Sequence, residues 1–258
     1  VENGSGKLLA IAFGYACHNT VLAGYKWSGD YAGFAQLELE KRHPGAAALF
    51  LQGCGADQNP LPRRTVQLAQ QYGQELAAAV ERVLDENMQQ LAPHLATAYT
   101  EIDLPLNPPP NKEQLMKKAA TLTDYQKRWA ENLIKRLDRG EALRTSYPYP
   151  VEVWNLGNQP VVYLGGEVVV DYAIEIKRIL GQDTFVLGYS NDVMSYIPST
   201  RILEEGGYEG ESSQMVYGLP NTWRSDIESL IVQEVLHTAK QAGLPIPFKT
   251  SLTATSEK

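Results

Sequence analysis

Cysteine is scarce in this chain. There are two residues, Cys17 and Cys54, among 258. Two thiols make at most one bridge, so a disulfide between them and a pair of small buried side chains both remain open. Their number does not decide the redox compartment. Long apolar runs are also missing. None approaches the roughly 20 residues that a membrane helix needs. Runs of basic residues are absent too: Lys41-Arg42 and Arg63-Arg64 are isolated pairs, and the formal net charge is -7. That excludes the basic footprint of a nucleic-acid binder. The chain has no internal repeats and no low-complexity segment. Neither the phosphate-loop nor the nucleophile-elbow pattern occurs in its glycine-rich loop at Gly53–Pro60.

What is present is a globular composition, 43% hydrophobic over 258 residues, enough for one large domain or two small ones. The stretch Leu8 to Pro60 organises the rest. An apolar run ends in Cys17-His18-Asn19, a helix signal follows, and a second apolar run at Ala46–Leu51 ends in Gly53-Cys54-Gly55-Ala56-Asp57-Gln58-Asn59-Pro60. Two buried strands joined by a helix make a parallel crossover unit. Leu8–Ala16 has few polar breaks, as expected of a strand covered on both faces. Ser28 or Asp30 is the expected cap of the intervening helix, with Phe34, Leu37 and Leu39 facing the core. Ligands in such sheets bind beyond the carboxyl ends of the strands, where both polar clusters fall.

Further along, Arg64 to about Asn87 reads as a long helix with Val66, Leu68, Leu76, Val80, Val83 and Leu84 as its apolar set. Ala96–Leu106 reads as a strand. Residues 111–140 carry two charged helical patterns split near Thr121–Asp124, which suits a solvated helical insertion over 107–145. Strands at Tyr149–Trp154 and Val161–Leu164 are joined by the turn Leu156-Gly157-Asn158-Gln159. Gly165-Gly166-Glu167 opens a helix over 168–180, closed by Gly181. Thr184–Leu187 is a short strand, residues 188–222 read as irregular, and Ile227–Ala242 is the last helix. The whole is one α/β domain over 1–244, a mixed, largely parallel sheet flanked by helices. Residues 245–258 form a tail or linker. Polar loops follow strands at 17–29, 53–60, 165–167 and 188–198, which places function on one edge.

Several side chains have two readings. His18 at a strand end is a structural residue or a functional one. His43 suits a helix C-terminus, where a cation is favourable. Glu167 reads as a favourable carboxylate at a helix start, Tyr196 as a loop tyrosine, and Gly53–Pro60 as a tight turn or a hollow for an anion.

The stretches Gly14-Tyr15-Ala16-Cys17-His18-Asn19 with Ser28-Gly29-Asp30-Tyr31-Ala32-Gly33-Phe34-Ala35, then Gly53–Pro60, Leu164-Gly165-Gly166-Glu167, and Ser195-Tyr196-Ile197-Pro198 with Gly207-Tyr208-Glu209-Gly210 occur in that order. Together they resemble the catalytic domain of the neutral/alkaline (non-lysosomal) ceramidase family, which are zinc-dependent amidases. The resemblance implies a ceramidase-like fold and zinc held by His18, Glu167 and Tyr196. It implies that Asp30, Asp57 and Gln58 belong to the catalytic surroundings, and that Asn19, Gly55 and Asn59 bind substrate. It implies a small-molecule or lipid-like amide substrate, and export to the periplasm or the outside.

Two departures stand out. The family's loop serine falls on Gln58, which cannot act as a nucleophile, so a zinc-activated water is expected to attack the amide. The family's upstream His-x-His segment has no counterpart, so the chain is expected to be the C-terminal portion of the catalytic domain, partnered by the missing upstream part. Two other readings stand beside this one: a non-catalytic binding or scaffold domain of the same fold, and a hydrolase using Cys54 and His18. The second requires an accessible, acidic thiol.

Overall fold

The architecture comes from a computed structural model that describes residues 1–246; most of the tail expected over 245–258 lies outside them. Strand β1 (Ala10–Tyr15), helix α1 (Asp30–Arg42) and strand β2 (Ala47–Gln52) form a parallel crossover unit. Helix α2 (Val66–Leu84) lies against α1. A second sheet holds β3 (Leu95–Pro105), β4 (Ser146–Leu156), β5 (Gln159–Leu164) and β7 (Phe185–Leu187) in the order β3-β4-β5-β7. A third pairing joins β6 (Glu167–Val168) to β8 (Tyr196–Ile197). The fold is mixed α/β. Among the described residues three pairings are parallel, and the two longest, β3-β4 and β4-β5, are antiparallel.

Local chemistry explains these elements. The β4-β5 hairpin turns through Gly157 and Asn158, with φ of 57° and 73°; positive φ at both central residues is what the twist of a two-residue hairpin requires. Helix α3 (Lys112–Thr121) starts from a reciprocal cap, Asn111 with Gln114. Helix α4 (Asp124–Asp138) follows at once. Helix α5 (Val170–Leu180) ends at Gly181. Helix α8 (Ile227–Gln241) buries Ile227, Ile231, Val235 and Ala239 at helical spacing, against β3 and β4. The main core therefore lies between α5 and α8 on one side and the four-stranded sheet, with Tyr149, Val151, Val153, Val162 and Leu164 turned inward.

The structure departs from the sequence reading in several places. β1 and β2 are covered on one face only: Ile11, Phe13 and Ala48 are buried by α1 and α2, while Ala12, Gly14 and Leu49 on the other face are exposed. Leu37, Val66 and Val83 are exposed rather than core. The α1–α2 contact runs instead through Ala35, Ala69, Gly73 and Ala77, because small residues let two helices approach closely. The charged insertion is not merely solvated. Leu115, Trp129, Ala130, Leu133 and Leu143 form a core of its own, and the Trp129 indole donates to the Leu219 carbonyl at 2.8 Å. Residues 188–222 are also more ordered than expected. They hold β8, α6 (Thr200–Glu205), α7 (Gly207–Gly210) and a 3-10 turn at Ser212–Met215.

The two larger sheets meet at their carboxyl ends. Gly53 pairs with Leu187, and the Gly188 N–H donates to the Gln52 carbonyl at 3.1 Å. The loops after β1, β2 and β7 therefore open on one edge. The α1–α2 contact supports that edge and leaves no room at Gly73: an added Cβ would lie 2.5 Å from Phe34 Cβ and 2.8 Å from the Tyr31 carbonyl. Gly73→Ala is expected to lower unfolding free energy by about 1–3 kcal/mol, read as a lower urea midpoint with unchanged slope.

Candidate functional site

The site is assembled from loops that leave strand ends. The key placement is made by Gly166. Its φ is 75°, and an added Cβ would lie 2.6 Å from Ile197 Cγ1 and 2.7 Å from the Ser195 carbonyl. Only glycine lets the chain turn here and run beside β8. Glu167 consequently does not open a helix. It sits on β6 directly opposite Tyr196, with Val168 opposite Ile197. The Trp223 indole, buried in the core, donates to the Tyr196 carbonyl at 2.8 Å and holds the β8 side of the pair.

His18 reaches the same point from the end of β1. Its backbone N–H donates to the Gln58 carbonyl at 2.9 Å, so the Gly53–Pro60 loop positions it. The imidazole Nε2 lies 3.4 Å from Tyr196 Oη, 3.9 Å from Glu167 Oε2 and 2.8 Å from the Ala56 carbonyl. The side chains of His18 and Glu167 are only 13% and 12% exposed. Tyr196 Oη and Glu167 Oε2 thus both lie within 4 Å of His18 Nε2, although the three residues are far apart in the chain. They form part of the wall of an open cavity of about 480 Å³ that Thr20, Leu22, Asn59, Arg63, Arg64 and Tyr208 also line.

Tyrosines surround the carboxylate. Tyr189 Oη donates to Glu167 Oε2 at 2.8 Å and lies 3.1 Å from His18 Nδ1. Tyr217 Oη donates to Glu167 Oε1. The ring of Tyr208 meets that of Tyr196 edge-on. Burial, followed by the charge of Glu167, pushes the phenols of Tyr189 and Tyr196 well above their ordinary range. Burial and then the hydrogen bond to Glu167 do the same for Tyr217. None of Tyr189, Tyr208 and Tyr217 was singled out in the sequence as a member of the site on its own chemistry. Tyrosines in irregular chain carry no periodic signal.

The remaining residues named in the sequence have definite places. The Asp30 carboxylate accepts from the N–H groups of Val21, Leu22 and Tyr31 at 3.2, 2.8 and 2.8 Å. It clamps the 19–29 loop rather than capping α1, whose start it occupies with φ 52°. Asp57 accepts from the Val170 N–H at 2.9 Å, at the first turn of α5. Gln58 acts through its backbone, accepting from His18, and its side chain is not among the cavity-lining groups. Gly55 is buried against the β1 end, where a Cβ would come within 2.5 Å of the Ala16 carbonyl carbon and the Cys17 nitrogen. It permits close approach and does not face the cavity. Asn19 donates to Gln52 Oε1 at 2.8 Å. Asn59 does line the cavity, with its Oδ1 held by Thr20 and by Arg63 at 2.9 Å. Two other histidines have partners elsewhere: His43 pairs with Glu81 at 2.9 Å, and His237 meets Gln241.

Both cysteines are free thiols. Cys54 is fully buried, with burial pushing its thiol up to about 12, and its sulfur faces the Val186 carbonyl. A nucleophilic cysteine needs the opposite shift and access, so the Cys54/His18 hydrolase is removed.

The donor set bears on a metal. No group of three or more His, Cys, Asp or Glu side chains gathers among the described residues; here the phenol of Tyr196 brings the count to three. One imidazole nitrogen and two oxygens are ligand types that zinc takes. The hydrogen bonds also leave a gap. Tyr189 has one proton, and its shorter contact is to Glu167. Both ring nitrogens of His18 then face acceptors, Tyr189 Oη and the Ala56 carbonyl, while a neutral imidazole has one N–H to give. A second ring proton or a cation at Nε2 closes the count. The residues present therefore fit a bound cation.

No family model matches the sequence, and no curated protein matches it either. The fold does have a solved counterpart. The chain is similar to neutral ceramidase from Pseudomonas aeruginosa, with a TM-score of 0.65 and 16% sequence identity, over 96% of this chain and 47% of that one. The fold is thus ceramidase-like, and the chain spans about half the length of that structure.

Two outcomes follow from these contacts. Asp30→Ala leaves three backbone donors without their acceptor and is expected to cost about 2–4 kcal/mol in chemical denaturation, at roughly 1 kcal/mol or more per buried donor. Cys54 should resist a thiol-specific reagent at pH 8 in the folded protein, and react at once when denaturant is added.

Proposed function

We propose that this chain is part of a zinc-dependent hydrolase of amide (C–N) bonds, related in mechanism to the ceramidases. The observation that carries the reading is that Glu167 Oε2 and Tyr196 Oη both lie within 4 Å of His18 Nε2 on one cavity wall. The ceramidase-like fold supports it.

In this reading His18, Glu167 and Tyr196 hold the ion. Zinc, when bound, would acidify a water and polarise the substrate carbonyl. The chain's own residues do the remaining work. Glu167 is fixed by Tyr189 and Tyr217, one on each carboxylate oxygen, so it cannot swing away when the cavity fills. Arg63 and Arg64 bring positive charge to the cavity, and Arg63 is oriented by Asn59. They suit the carbonyl oxygen of an amide as charge builds on it. Gln58 supplies no nucleophile, which leaves water as the attacking group. Three ligands leave room for that water and for one more donor, which another part of the polypeptide would supply. The bare outer face of β1 and β2, at Ala12, Gly14 and Leu49, suits contact with such a part.

A second cavity of about 410 Å³ shares Asn59 with the first. Tyr15, Tyr31, Tyr72, Leu76 and Ala79 line it. The hydroxyls of Tyr31 and Tyr72 are spent on the carbonyls of Cys17 and Pro62, so their rings offer apolar surface. This suits the apolar arm of a lipid-like amide.

Elemental analysis of the chain, by itself and within any longer polypeptide that carries it, tests the reading. Stoichiometric zinc is expected, with release of amine from an N-acyl substrate. His18→Ala and Glu167→Ala should each weaken zinc by more than about 100-fold, beyond what loss of a surrounding hydrogen bond does. Zinc without turnover would turn the assignment to a binding domain. Zinc content unchanged in both variants would remove it. Ala79→Trp should raise KM for amides with a long apolar arm several-fold while leaving zinc content and kcat on short amides as they were.

A further inference from the structure

We infer that Tyr189 is the positioning residue of this site: its hydroxyl joins His18 to Glu167 in a two-bond chain that sets which way the imidazole faces. The inference deepens the proposed function, because it rests on reading His18 and Glu167 as the donors of the site.

Three observations carry it. The first is the bridge itself. Tyr189 Oη lies 2.8 Å from Glu167 Oε2 and 3.1 Å from His18 Nδ1. Its single proton goes to the carboxylate across the shorter contact, so the oxygen is free to accept an Nδ1–H, for which the Ala56 carbonyl, 2.8 Å from Nε2, is the competing acceptor. The chain then runs from Nδ1–H to the phenol oxygen, and from the phenol proton to the carboxylate. It directs Nε2 toward the Ala56 carbonyl and Tyr196 Oη, 2.8 and 3.4 Å away.

The second is backbone strain. Tyr189 has φ 56°, a left-handed conformation that a bulky side chain rarely adopts. Such strain persists only when the surroundings over-determine it, and it concentrates at functional sites.

The third is how thoroughly the surroundings do so. Tyr189 N–H donates to the Gly166 carbonyl at 2.8 Å, and Ser190 N–H to the Leu164 carbonyl at 3.0 Å. Gly166 N–H in turn donates to the Asp192 carbonyl at 2.7 Å. The loop is bonded on both sides to the turn that delivers Glu167. The geometry that strains Tyr189 is therefore the geometry that fixes the carboxylate, and the hydroxyl extends that control to His18.

Tyr217 provides the contrast. It bonds Glu167 Oε1 and makes no bond to His18. Removing its hydroxyl loosens the carboxylate alone.

The test is long-range proton–nitrogen NMR of the His18 ring in metal-free, histidine-labelled protein. The wild-type chain should show a slowly exchanging Nδ1 proton with an Overhauser contact to the Tyr189 ring. Tyr189→Phe should lose that proton to rapid exchange, and Tyr217→Phe should keep it. A chelator competition should show zinc bound about 10–100-fold more weakly in Tyr189→Phe. An Nδ1 proton unchanged in Tyr189→Phe overturns the inference. So does the absence of the Overhauser contact in the wild-type chain, a result that stands even if the variant does not fold. If wild type takes up no zinc, the metal reading of the site falls, and Tyr189 is judged on the ring proton alone.

Discussion

A ladder two residues long determines the chemistry available to this protein. β6 and β8 pair in parallel, and their register sets Glu167 against Tyr196. The ladder would be too short to stand alone. It survives because Val168 and Ile197 are fully buried and because Trp223 donates to the Tyr196 carbonyl. It forms at all because residue 166 has no side chain to collide with Ile197. The Gly53–Pro60 loop joins the same framework, with Ala56 N–H donating to the Val168 carbonyl at 3.2 Å. That loop in turn receives the His18 N–H through Gln58. The three donors are consequently tied to one short piece of sheet, although they lie far apart along the chain.

The electrostatics of that point are unusual in what they omit. A mostly buried carboxylate is expected to pair with a cation or to be richly hydrogen-bonded. Glu167 has two phenols and, at 3.9 Å, an imidazole, and no lysine or arginine within ion-pair distance among the described residues. Phenols satisfy a carboxylate's lone pairs without neutralising it. The site therefore retains negative character, with an additional acceptor, the Ala56 carbonyl, beside His18 Nε2. Arg63 and Arg64 line the same cavity, and so does Glu209.

The scaffold around it is ceramidase-like at 16% identity. That likeness has a physical basis. The framework is held by patterns that many sequences satisfy: inward apolar residues on β4 and β5, a helical stripe on α8, and small residues where α1 meets α2. The loop residues are more tightly specified. Gly166 and Gly55 are demanded by backbone contact, and Asp30 by three donors that need one acceptor. These are also the positions that carried the family resemblance in the sequence.

Much of the framework was legible because it is periodic or punctuated. The alternation in β3, the split between α3 and α4, the turn at Gly157-Asn158 and the stop at Gly181 each reflect a local rule. The polar loops at strand ends pointed to one edge for the same reason. Other features had no local signature. Leu37, Val66 and Val83 are exposed because burial depends on which neighbour arrives, and here small residues make the helix contact. A strand of two residues has no period, so Glu167 resembled a helix start. Tyr189 and Tyr217 were ordinary loop residues until the chain brought them to one carboxylate. The sequence by itself determined the elements, the edge on which the polar loops fall, and the residue types available there. Only the tertiary structure decided which side chains meet, because a hydrogen bond requires approach to about 3 Å, and no spacing along a chain encodes a distance between residues 18, 167, 189 and 196.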